Sequence, residues 1–151
     1  RNPELIRECA QHFGSQAIVV SIEAKRTPTG WEALVDNGRE RTGVDAIAWA
    51  QEAIRLGAGE LLITSVDQDG TRRGFDVDLI RRIATDAPVP VVACGGMGKM
   101  EHLIEVLRDG QADAVAMASV LHLEKLSFHG MREALTKAGI RVQNRFDVSP
   151  P

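Results

Sequence analysis

Four short apolar segments recur along the chain, each followed by a segment with helical patterning. This alternation limits the fold more than any other feature. The segments are AIVVSIE at residues 17–23, ELLIT at 60–64, VPVVAC at 89–94 and ADAVAM at 112–117. They are short and bounded by glycine, as parallel strands covered by helices should be. The intervening stretches predict helices over residues 3–13, 45–56, 76–85, 99–107 and 127–137, stopped at Gly14, Gly57, before Pro88, at Gly110 and at Gly139. Asn2-Pro3 reads as an N-cap and first helical position, so the chain opens on a helix. Strands alternating with helices make an α/β chain of four βα units. Two architectures suit that order, a doubly wound sheet and a barrel. A barrel closes with eight strands and typically about 250 residues; this chain has 151.

One interruption is a small hairpin, with strands over 31–35 and 39–41 joined by Asp36-Asn37-Gly38. Asn-Gly is a strong turn signal, and the polar flanks predict a surface position. Residues 1–143 read as one domain and 144–151 as a frayed tail.

A net charge of −3 argues against a general nucleic-acid binder. No apolar run approaches the 18 to 20 or so residues of a membrane span, and no leader pattern opens the chain. Cys9 and Cys94 lack metal spacing and read as reduced thiols of a cytoplasmic protein. No cofactor or metal site is expected.

The residues suited to chemistry fall at the carboxyl ends of the strands. Glu23 and Lys25 end the first; Thr64, Ser65, Asp67, Asp69 and Gly70 end the second. Gly95, Gly96 and Gly98 follow the third, and Ala118 and Ser119 the fourth. In both candidate architectures that edge carries the ligand site. CGGMGKMEH places glycines where backbone N–H groups can approach an anion, just before a helix, and MASVLH repeats the device more weakly. Two such turns in succession point to a phosphate. A single one is equally a tight turn.

The loop DQDGT has three readings. Asp67 and Asp69 could hold a metal, though no third ligand has a defined spacing. Asp69-Gly70 could simply supply a turn. The preferred reading is a carboxylate that accepts a substrate hydroxyl while Gly70 lends an N–H. Histidines 12, 102, 122 and 129 lie on or beside helices and read as surface or packing residues, and Met97, Met100 and Met117 as packing.

IVVSIEAKR, NGRERTGVD, GAGELLITSVDQDGT, FDVDLIRRI, VPVVACGGMGKMEH and ADAVAMASVLH together resemble the cyclase subunit of imidazole glycerol phosphate synthase, a histidine-biosynthesis enzyme. The resemblance runs from about Asn2 to Val142. It implies a (βα)8 barrel of two similar halves, each with a phosphate site and one catalytic carboxylate. This chain resembles the second half. The family enzyme takes ammonia from a glutaminase subunit. It converts a formimino ribulosyl intermediate to imidazole glycerol phosphate and an aminoimidazole carboxamide ribotide. The resemblance places one of two acid–base carboxylates at Glu23. It places substrate and phosphate contacts at Thr64, Asp69, Gly70, Gly95, Gly96, Ala118 and Ser119, and Lys25, at the same strand end as Glu23, is a further candidate contact.

Glu23 departs from the family, whose motif reads Asp-Ala-Lys-Arg. Glutamate has a similar intrinsic pKa, so acid–base work remains open to it. The extra methylene displaces the carboxyl group by about 1 Å, a scale of misplacement that can cost on the order of 10²-fold in rate. The cyclase-like proteins of surface-sugar pathways resemble the same subunit, and a relaxed catalytic position would suit such a paralogue. Another alternative is a non-catalytic half-barrel scaffold that binds phosphate. In every case four βα units cannot close a barrel. The outer strands would expose ladder edges and an apolar layer, which predicts self-association into a dimer or larger oligomer.

Overall fold

The computed structural model describes residues 2–123 and 126–142; the expected tail at 144–151 lies outside them. The elements run α1 (Glu4–Phe13), a 3-10 turn (Ser15–Ala17), β1 (Val19–Thr27), β2 (Gly30–Val35), β3 (Glu40–Asp45), α2 (Ala46–Leu56), β4 (Glu60–Ser65), α3 (Val77–Ala84), β5 (Val91–Cys94), α4 (Met100–Arg108), β6 (Ala114–Ala116), α5 (Ser119–His122) and α6 (Phe128–Lys137). Among the described residues, no helix is long and apolar enough to cross a membrane.

All six strands form one sheet in the order β3-β2-β1-β4-β5-β6. The four that follow the apolar segments, β1, β4, β5 and β6, pair in parallel. This is the α/β arrangement that the alternation predicts, consistent with the half of a (βα)8 barrel that the resemblance implies, and the sheet does not close among the described residues.

Helices cover one face only, so burial alternates along each strand. Ile22 and Ala24, Leu61 and Ile63, and Val91 and Ala93 are buried against the helical layer. That layer contributes Ala46, Ala50, Ala53 and Leu56 from α2, Leu79, Ile80 and Ile83 from α3, and Leu103 and Val106 from α4. A buried aliphatic side chain contributes about 1.5–3 kcal/mol, and this layer therefore holds the sheet in place. Gly59 shows how tightly the first turn is built, because a methyl there would overlap the Ser15 carbonyl.

The hairpin differs from expectation. It is not a surface appendage. β2 extends the sheet, and Trp31, Ala33 and Leu34 are buried. Only β3 is exposed along its length. β1 accordingly continues past Glu23 to Thr27, because Lys25, Arg26 and Thr27 find partners in Glu32, Trp31 and Gly30. The hairpin therefore covers the upper half of the β1 edge. The outer edge of β1 over residues 19–22, which pair only with β4, and the outer side of β6 keep no strand partner among the described residues.

A latch fastens this extension to the helical layer. Asp76 is buried and accepts from Arg26 Nη2 at 2.7 Å and from Trp31 Nε1 at 2.8 Å. It also caps α3 by accepting from Leu79 N at 3.2 Å. The Arg26 guanidinium stacks 4.6 Å from the Trp31 ring.

Candidate functional site

The uncovered face of the sheet carries two rows of side chains, fixed by strand register. Parallel partners share a face, so Ser21, Leu62, Val92 and Ala114 form one row. Glu23, Thr64, Cys94 and Ala116 form the next, one step nearer the carboxyl edge. Their exposure agrees: Glu23, Thr64, Cys94 and Ala116 are half-buried while their chain neighbours Ala24, Ser65 and Ala93 are buried. Val19, an apolar residue, is 53% exposed on this face.

Glu23 is not the end of its strand but the junction of two ladders. It pairs with Thr64 on one side and Leu34 on the other. Lys25 follows on the same face, opposite Glu32. The hairpin tip leans over this carboxylate. A Cβ on Gly38 would lie 3.8 Å from Glu23 Oε2 and 3.1 Å from Val66 Cγ2. Glu23 and Thr64, adjacent across the ladder, are the two polar groups that the row presents, and they can address one bound molecule.

The DQDGT loop is an ordered turn. Asp69 N donates to Ser65 O at 2.9 Å, Thr71 N to Gln68 O at 3.0 Å, and Thr71 Oγ1 to the same Gln68 oxygen at 2.7 Å. Asp67 is committed to structure, with Oδ2 accepting from Arg26 N at 2.7 Å. Asp69 and Gly70 are exposed at the turn, where substrate could reach them. No group of three or more His, Cys, Asp or Glu is poised to hold a metal among the described residues.

Gly95 and Gly96 sit beside this loop, and their lack of side chains has a structural cause. A methyl on Gly95 would approach Ser65 O at 2.9 Å and Asp69 Cα at 3.4 Å. On Gly96 it would overlap the Gly74 carbonyl, whose own N–H donates to Gly96 O at 2.8 Å. Gly98 is similarly pressed against Arg72. The glycines admit a neighbouring backbone as well as any anion, which is why GGMG alone reads equally as a tight turn. Ala118 and Ser119 are exposed beyond β6, whose Ala116 is register partner to Cys94.

This contrast makes a prediction. Gly96→Ala combines a backbone overlap with φ of +103° and should prevent stable folding or lower stability by more than about 3 kcal/mol. Gly70→Ala has open space around it and φ of +72°, and should cost only about 1 kcal/mol. Urea denaturation of both variants checks the pair.

Every residue that the sequence pointed to lies at or beyond the carboxyl edge of the parallel strands. Cys94 was legible there only as a free thiol; its place between Thr64 and Ala116 follows from register. Arg26 and Asp76 carried no functional signal and turn out to anchor the end of β1.

Residues 1–127 match the model of the family described as Histidine biosynthesis protein. The chain is 43% identical over 143 residues to a protein of Streptococcus mutans serotype c, the imidazole glycerol phosphate synthase subunit HisF. The match takes in 94% of this chain and 57% of that relative. The chain thus spans little more than half the length of the curated relative it matches.

Proposed function

The chain belongs to the histidine biosynthesis protein family, and on that premise we propose that it forms the second half of a cyclase barrel of imidazole glycerol phosphate synthase. In this reading it supplies one acid–base carboxylate, Glu23, and one phosphate site to ammonia-dependent imidazole ring closure and cleavage. It would work in the cytoplasm with a barrel half carrying the second carboxylate, and with a glutaminase subunit as ammonia source.

The observation that carries this reading is the row in which Glu23 and Thr64 stand side by side on the uncovered face, with Gly95 and Gly96 directly beyond its third member. Glu23 would take or give the proton as the ring closes. Thr64 and Asp69 would accept or donate to substrate hydroxyls. Backbone N–H groups at Gly95, Gly96, Ala118 and Ser119 would receive the phosphate, with Lys25 adding positive charge on the Glu23 face. Titration calorimetry with inorganic phosphate tests the anion site. Binding that is lost on Ser119→Asp supports it, and a folded chain without phosphate binding counts against it.

A sheet with one bare face and open edges at residues 19–22 and at β6 also motivates self-association of the 151-residue polypeptide. Two copies joined at these edges would bring eight parallel strands together. Sedimentation at micromolar concentration should return a dimer or larger species; a monomer would overturn this part of the proposal.

A further inference from the structure

His102 lies on α4, on the far side of the Gly95–Gly98 turn from the substrate face, and no role above uses it. It is 8% exposed, and its Nδ1 is buried without a hydrogen-bond partner among the described residues. Its ring lies against the loop after β4: a Cβ on Gly74 would lie 3.5 Å from His102 Cδ2 and 3.7 Å from Nε2. Gly74 in turn donates its N–H to Gly96 O at 2.8 Å. Imidazole, Gly74 and Gly96 thus form one line of contact from α4, through the end of the loop after β4, to the glycine turn.

We propose that neutral His102 is a positioning residue that clamps the 68–74 loop onto the Gly95–Gly98 turn, and that protonating it loosens that clamp. A neutral ring with its proton on Nε2 leaves only an unpaired acceptor at Nδ1. A second proton creates a buried N–H donor and a buried charge with no acceptor facing them, which costs far more than an idle acceptor. The surroundings agree in sign. Burial pushes the His102 pKa down, and Lys99 at the start of α4 pushes the same way. Glu105 and Glu101 oppose it from the same helix without reversing the direction. The loop meets the ring through Gly74. Since the folded pKa is depressed, the clamp is intact above the unfolded value of about 6.5 and is lost as pH falls on through the lower folded value.

The clamp stands on geometry alone, whereas its effect on anions rests on the phosphate reading above, so two measurements separate them. In an NMR titration, the His102 ring should titrate below about 6.5. The Gly74 and Gly96 amide resonances should move with the same midpoint, and that movement should vanish in His102→Phe. Amides that stay still while the ring titrates, or that move equally in the variant, would overturn the clamp; the wild-type titration decides the matter even where the variant does not fold. Sulfate, which does not titrate in this range, probes the site itself. Its affinity should fall as pH drops from about 7.5 through the range in which the His102 ring is seen to titrate, although the protein gains positive charge, and absence of sulfate binding at the starting pH would count against the anion site and not the clamp.

Discussion

In the proposed barrel of this chain with a first half of the same family, Glu23→Gln should lower ammonia-dependent turnover by about 10²–10⁴-fold, with KM little changed. Glutamine keeps the size of the side chain and its place under the hairpin tip, yet it cannot accept or return a proton. The effect therefore belongs to chemistry and not to folding. Glu23→Asp tests geometry instead. It restores the family's shorter carboxylate and should raise turnover, by up to about 10²-fold where the extra methylene has cost alignment. Equal turnover of the wild-type and Glu23→Gln barrels would remove Glu23 from the proton path.

Asp76→Ala should cause a loss of stability comparable to that of emptying a core position. Three donors converge on that carboxylate: Arg26 Nη2, Trp31 Nε1 and Leu79 N. Its removal takes the cap from α3, worth about 1 kcal/mol, and leaves the buried Trp31 N–H unsatisfied at about 1–3 kcal/mol. A total near 3 kcal/mol corresponds to a Tm lower by roughly 10 °C for a chain of this size. Arg26→Ala should cost no more than about 1 kcal/mol, since Arg26 is half exposed and Asp76 keeps its other two donors. Thermal unfolding by circular dichroism compares the two variants. Equal losses would mean that the ion pair, not the cap and the indole, holds the latch.

The parallel units were legible because each buried strand is a compact apolar run and the helices between them stop at a glycine or, for α3, shortly before Pro88. The location of the site was legible for a related reason. Polar and small residues such as Glu23, Thr64 and Gly95 stand out where an apolar run stops. The extension of β1 was not legible, because Lys25, Arg26 and Thr27 have no apolar pattern of their own. Their strand conformation depends on β2, and the polar turn at Asp36-Asn37-Gly38 masked how deeply Trp31 and Leu34 are buried. The latch was invisible for a different reason. Asp76 meets Trp31 and Arg26 across separations of 45 and 50 residues, beyond the reach of any local signal. The glycine turn shows a third limit. Close backbone approach and anion binding both select glycine, and only the position of Gly74 against Gly96 reveals the first demand.

The most direct test of the account is ammonia-dependent formation of imidazole glycerol phosphate by this chain mixed with a family first half, against each part alone. The account predicts turnover by the mixture and a rate at least about 10²-fold lower for the chain alone, which lacks the second carboxylate. Turnover at the mixture's rate by the chain alone, or none from a folded mixture, would contradict it.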